Sequence, residues 1–226
     1  MLLYGITLKL MMKTKQGGNL HLPDGIISLE QAIIYWIITL IIVSIFFYKF
    51  SKDENKEQRI ISIALFSVFT IVVTSVSVPS PLGVPIHFFL IPLIAILLGP
   101  LSSTIVSFVT LLMQFLVLNM GGITSLGANF LVMGFILSIV TYEFYKLFMN
   151  INEKIAIFGS TIIGIMFATF GQIAILVISG AMNFDILLST LLPFYLFISI
   201  IEGFANVVII TAIGKIKPEI REINQI

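Results

Sequence analysis

The sequence predicts an all-α, polytopic membrane protein of about seven transmembrane helices, with the N-terminus outside and the C-terminus cytoplasmic. Three observations predict it. Of 226 residues, 58% are hydrophobic and 10% charged, with a mean hydropathy of +1.14, whereas an ordinary soluble domain is about 25% charged. The apolar residues fall in long runs, each near the ~20 residues that cross a hydrocarbon core. Lysine and arginine gather at alternate connections.

Residues 1–19 stand apart. Met1 to Met12 is modestly apolar, with Lys9, Lys13 and Lys15 on the wrong side for a signal peptide and no small-x-small cleavage site before His21. Gly17-Gly18 can be encoded by a ribosome-binding sequence and Leu20 by a TTG start read as methionine. The extension then reads either as translated leader, absent from the mature protein, or as a plain N-terminal extension; residues 20–226 form one membrane domain.

His21-Leu22-Pro23-Asp24-Gly25 is a rigid turn, because Pro23 fixes its own φ and extends Leu22, and Asp24-Gly25 is a turn dipeptide. Ser28 and Gln31 form a capping box that starts the first helix, about Gln31 to Phe50. The charged loop from Ser51 to Arg59 follows. A second helix runs about Ile60 to Val78 and stops at Pro79-Ser80-Pro81. The third, about Pro85 to Leu98, is short for a crossing and ends at Gly99-Pro100, where the fourth begins at once; such a broken element is found near membrane binding sites. The fourth ends near Asn119, and Met120-Gly121-Gly122 turns into a fifth from about Ser125 to Phe148. The sixth covers about Glu153 to Ser179 and the seventh about Ile186 to Ile216.

Lys49, Lys52, Lys56 and Arg59 follow the first helix, Lys146 and Lys154 lie between the fifth and sixth, and Lys215, Lys217 and Arg221 follow the seventh. The positive-inside rule makes these positions cytoplasmic. His21, the Pro79–Pro85 loop, Gly121-Gly122 and Met182 to Asp185 then face the exterior.

Composition excludes several chemistries. A net charge of +1 offers no basic patch for nucleic acid. No cysteine leaves metal chemistry to nitrogen and oxygen donors. No Gly-x-x-x-x-Gly-Lys-Ser/Thr is present, so no P-loop binds ATP.

The two histidines, His21 and His87, fall on the same outer side, each near a proline. A lone histidine at a membrane interface is usually a packing residue; two at one end read as a ligand pair. If Leu20 is the initiator, its α-amine, the deprotonated amide nitrogen of His21 and the His21 imidazole close fused five- and six-membered chelate rings. His87 supplies a fourth nitrogen. Four nitrogens in a plane suit Ni(II), with Co(II) a plausible relative, whereas zinc prefers a tetrahedron.

Other polar residues interrupt apolar runs. Asn129 and Gln114 are candidates to brace the metal-binding loop, with interhelical hydrogen bonding as the alternative for Gln114 and Gln172. Glu202, midway along the seventh helix, reads either as a structural bond or as a carboxylate that receives the cation in transit. Ser160, Gly164 and Ala168 form a small-residue ladder that either packs within the bundle or docks a partner.

His21-Leu22-Pro23-Asp24-Gly25, Val84-Pro85-Ile86-His87, Leu97-Leu98-Gly99-Pro100, Gln114, Met120-Gly121-Gly122, Leu126-Gly127-Ala128-Asn129 with Met133-Gly134, and Glu202-Gly203 followed by Lys217-Pro218-Glu219 resemble the CbiM/NikM-type substrate-specific components of cobalt and nickel uptake transporters. The resemblance implies a metal held by the amine at position 20, the amide and side chain of His21, and His87. It implies a transmembrane coupling protein, cytoplasmic ABC ATPases of the energy-coupling-factor type and a small additional membrane subunit, in the cell membrane of a prokaryote. The divalent ion is substrate; no cofactor is expected and the chain is no enzyme by itself. Two other readings stand beside it: a component specific for an organic micronutrient, and an intramembrane enzyme using His87 with Glu202.

Overall fold

The computed structural model describes residues 21–76 and 87–216. The extension 1–19, Leu20, the Pro79–Pro85 loop and Lys217-Pro218-Glu219 lie outside them.

Among the described residues there are seven helices and no strand: α1 (Leu29–Ser51), α2 (Lys56–Ser75), α3 (Ile91–Leu98), α4 (Pro100–Leu118), α5 (Ile123–Met149), α6 (Glu153–Ile178) and α7 (Phe184–Ile216). Six of them are long and apolar enough to cross a membrane. The exception is α3. Its eight residues reach about 12 Å at 1.5 Å per residue, less than half of a ~30 Å hydrocarbon core. The expected third helix therefore shortens at its start, and residues 87–90 lie outside the helix.

Side-chain bonds at both ends of α2 and α4 show how the short piece is used. Arg59 Nη1 donates to Ser102 Oγ at 3.3 Å near the start of both helices, and Gln114 Nε2 donates to Thr74 Oγ1 at 2.8 Å near their ends. The two helices thus run in the same direction. The chain between them must return, and residues 87–98 complete that return inside the bundle.

Local sequence explains most boundaries. The Ser28 hydroxyl accepts from the Gln31 amide and the Gln31 side chain accepts from the Ser28 amide, the expected capping box. Lys56 to Arg59 lie in the first turn of α2, not in the preceding loop, and Arg59 pairs with Asp53 across it. Gly99, at φ +80, forms the joint between α3 and Pro100. Within α5, residues Phe130–Ile136 wind as a π-helix, a form that recurs at functional sites.

The core runs through α3, α4, α5, α6 and α7. Ile94, Val106, Ala128, Leu137, Ile165 and Ile198 are buried there. Outward, α1 and α2 present Ile33, Ile37, Leu40, Ile61, Leu65 and Val68, all exposed. An apolar exterior around hydrogen-bonded helices is the solution a bilayer imposes.

Candidate metal centre

The loop before α1 plugs one end of the bundle. Leu22 and Ile27 are buried in the core, and Gly25, at φ +87, makes the bend between them. Asn129 grips the Leu22 peptide from both sides: its Oδ1 accepts from Leu22 N at 2.9 Å and its Nδ2 donates to Leu22 O at 3.1 Å. Ser125 Oγ donates to the same carbonyl.

The glycine turn before α5 is shaped to this loop. A Cβ on Gly121, itself at φ +78, would stand 3.2 Å from His21 Cβ, and one on Gly122 would overlap the Asp24 carboxylate and backbone nitrogen. The Asp24 carboxylate accepts from Thr124 N at 2.8 Å, from Ile123 N at 3.3 Å and from the Thr124 hydroxyl. These amides open α5 and have no partner within the helix. Burial raises the Asp24 pKa, but the bonds from Thr124, Ile123 and Ser125 outweigh it and hold the carboxyl below its usual range.

A hydrogen-bond chain then sets the tautomer of both histidines. Thr74 Oγ1 donates to Thr70 O at 2.6 Å, so its hydroxyl hydrogen is used and it accepts from Gln114 Nε2. That fixes the orientation of the Gln114 amide. Its carbonyl oxygen faces His21 Nε2 at 3.1 Å, so Nε2 carries the proton and Nδ1 is a bare lone pair. Likewise His87 Nδ1 faces the Thr74 carbonyl oxygen at 3.2 Å and must donate, leaving Nε2 bare. His21 Nδ1 and His87 Nε2 are buried with no hydrogen-bond partner among the described residues. Burial lowers the His21 imidazole to about 4; the Gln114 bond opposes this and neighbouring His87 adds to it. His21 is neutral at pH 7.

Both histidines line one cavity of about 30 Å³, with Thr74, Thr110, Gln114, Met120 and Met133 also on its wall. Such a volume holds about two waters or one ion. Among the described residues no group of three or more His, Cys, Asp or Glu side chains is placed to hold a metal. A metal here must complete its coordination with donors other than those side chains.

Glu202 lies elsewhere. Only 1% exposed, it is not on the cavity wall; its Oε2 accepts from Phe89 N and its Oε1 from Leu90 N, each at 2.9 Å. Gln172 hydrogen-bonds the Tyr195 side chain between α6 and α7. Ser160, Gly164 and Ala168 are buried, and a Cβ on Gly164 would overlap Thr141 Oγ1 of α5. In the bundle α5 packs on this small-residue face, where only glycine lets that hydroxyl approach. Thr70, Thr74 and the Asp24 cap escaped the sequence reading. A threonine pair at i, i+4 in an apolar run facing a lone glutamine is the signal that would have found the first two.

Fold and site together define a polytopic membrane protein with a small nitrogen-donor pocket at one end of its helical bundle. The chain belongs to the CbiM family, described as the cobalt uptake substrate-specific transmembrane region, which matches residues 21–220. It is 30% identical over 208 residues to the cobalt transport protein CbiM of Thermosipho melanesiensis, covering 88% of each chain. It is likewise 30% identical over 209 residues to the cobalt transport protein CbiM of Clostridium tetani, covering 87% of this chain and 85% of that one. In fold it is similar to a crystal structure of a transition metal transporter, at a TM-score of 0.80 and 21% identity, covering 91% of this chain and 98% of the other.

Proposed function

We propose that this chain is the substrate-binding membrane component of an energy-coupling-factor-type transporter importing Co(II) or Ni(II). The observation that carries the reading is the pair of bare nitrogens, His21 Nδ1 and His87 Nε2, on one small cavity. His21 Nδ1 is the ring nitrogen that can close a six-membered chelate with its own amide nitrogen, through Cα, Cβ and Cγ; Nε2 points away from the backbone and cannot. The Gln114 bond therefore keeps the useful tautomer ready.

The remaining donors are the amide nitrogen of His21 and the α-amine of the residue at position 20. A free amine there requires that residues 1–19 be absent from the mature protein. Its five-membered ring shares the amide nitrogen with the six-membered ring, and His87 Nε2 completes four nitrogens. That set suits Ni(II) and Co(II). Binding releases the amide proton, so affinity rises with pH.

In this reading the metal enters from the outer face, where the positive-inside rule places the His21 loop. The loop covers the cavity and is held by Asn129, Ser125 and Asp24, so release requires those bonds to open. Work for that comes from a coupling protein and cytoplasmic ATPases, with a small additional membrane subunit. An organic micronutrient fits poorly, because pockets for such ligands are about 300–1,000 Å³ and this one is about 30 Å³.

The test begins with the mass of the N-terminal peptide from the native membrane, followed by Ni(II) and Co(II) titration of that protein. A chain starting directly before His21 that binds metal, and binds it far more weakly but still measurably in His21→Ala and His87→Ala, is the expected result. A mature chain starting at Met1, or metal binding indifferent to both substitutions, overturns the reading.

A further inference from the structure

Glu202 is a carboxylate in the middle of a membrane bundle, buried to 1% exposure and outside the cavity wall. Both of its oxygens are used on backbone. They take the amides of Phe89 and Leu90, which lie 113 and 112 residues away in sequence. These are the residues that follow His87 by two and three positions. Leu90 is also strained: it stands in the left-handed region at φ 57, ψ −17, immediately before α3. A side chain other than glycine persists there only where its surroundings over-determine it.

The geometry points to Glu202 as the positioning residue for His87 and as the counter-charge of the loaded site, a role that rests on the function proposed above. Held by two bonds at 2.9 Å, the Phe89-Leu90 peptides cannot join α3 and the segment from His87 to Leu90 stays out of the helix. His87 Nδ1 is meanwhile tied to Thr74 O on α2. The imidazole is thus braced from α2 on one side and, through the chain, from α7 on the other, with Nε2 toward the cavity. Pre-positioned donors bind without first being ordered.

Charge gives the second half of the argument. A divalent ion on one deprotonated amide and neutral nitrogens leaves a net charge of +1 in a buried site. An unpaired buried charge is costly, and an opposite charge nearby offsets it. Among the described residues Glu202 is a buried carboxylate bonded to the His87 segment, and an anion accepts both amides with no proton left over. Glutamine has the same shape but turns an amino group on one of the amides and carries no charge.

The experiment is Ni(II) titration of the protein purified from its native membrane, with the visible absorption band of the bound ion as a second readout and circular dichroism as the folding control. Glu202→Gln and Glu202→Ala are expected to weaken binding by about tenfold or more and to alter the band. Glu202→Asp, which keeps the charge but cannot reach both amides unchanged, is expected to lose affinity severalfold and keeps the test readable if the other two do not fold. In a His87→Ala background, Glu202→Asp is expected to add nothing, because it acts through His87; a merely structural role would add its full effect there. Wild-type affinity and band in any folded Glu202 variant overturn the assignment, as does full additivity with His87→Ala. Failure of the wild-type protein to bind metal overturns the proposed function and this assignment with it, so the two failures are distinguishable.

Discussion

Gln114 Nε2 stands 2.8 Å from Thr74 Oγ1, and the direction of that one hydrogen bond decides which nitrogen of His21 is free. The hydroxyl already donates to Thr70, so the amide can only donate to it and must turn its oxygen to His21. Gln114 is 1% exposed. Replacing it by leucine keeps the bulk and removes the instruction, so Nδ1 and Nε2 protonation become comparable. Gln114→Leu is expected to weaken Ni(II) binding by about 10–100-fold while circular dichroism stays unchanged. Titration of the two proteins side by side checks it, and equal affinities would detach the tautomer from binding.

Asn129 controls the loop as a whole, because it bonds both faces of the Leu22 peptide. Asn129→Ala removes two neutral hydrogen bonds worth about 1 kcal/mol each. If the docked loop is the binding-competent state, about 2 kcal/mol corresponds to roughly 30-fold in affinity. The loop should also become open to proteolysis near Pro23. A protease digest followed by mass spectrometry reads the second effect independently of metal.

Gly122 faces Asp24 so closely that a methyl group has no room. Gly122→Ala must push the loop outward, since the atoms it meets include the Asp24 backbone nitrogen as well as a movable carboxylate. The cost falls on docking more than on the bundle, which is built from other contacts. Metal affinity should fall by about tenfold or more, an effect of about 1.4 kcal/mol, with the thermal midpoint shifted little. A large drop in midpoint at unchanged affinity would place the role of Gly122 in the fold instead.

The Asp24 clasp carries a pH dependence whose sign follows from its lowered pKa. With the docked carboxyl more acidic than the undocked one, the undocked loop binds more protons in the range between the two values. Docking strength is therefore complete above the ordinary aspartate value of about 3.9 and is lost as pH falls through the lower docked value. Asp24 is exposed, so solvent screening limits the contribution to about 1 kcal/mol. Asp24→Asn should show at pH 7 the protease sensitivity that the wild-type loop shows only below about pH 4.

The helices were legible because each is an apolar run, several of them closed by a local signal such as Ser28 with Gln31 at α1 and Gly99-Pro100 at the joint of α3 and α4. The pair of histidines was legible from count and placement. Asn129 and Gln114 were also legible as polar residues aimed at the loop, but the sequence did not carry the partner atoms or directions of bonds between distant residues. The third helix was expected from Pro85, yet it starts at Ile91 because Glu202 takes the amides of Phe89 and Leu90 that helical carbonyls would otherwise receive. No local pattern in residues 85–98 announces a carboxylate from α7. The tautomers were hidden for the same reason, since they depend on Thr70 and Thr74 meeting Gln114 across two helices.

The small-residue ladder on α6 yields the last prediction. Ser160, Gly164 and Ala168 share one face, and spacing alone left open whether a neighbouring helix or a partner protein covers it. In the bundle α5 lies there, with Thr141 and Leu137 facing Gly164. Thr141 is β-branched and fully buried, so its hydroxyl cannot swing away from an added methyl without an off-rotamer χ1. Gly164→Ala is therefore expected to cost about 1–3 kcal/mol of stability by overpacking, and a tryptophan there should prevent folding. Pairing Gly164→Ala with Thr141→Ser should return part of the loss, because serine lacks the second Cβ branch and can rotate its hydroxyl out of the contact. Thermal unfolding in detergent measures all three. Full stability of Gly164→Ala would mean that α5 and α6 do not pack through this face and would reopen it to a partner.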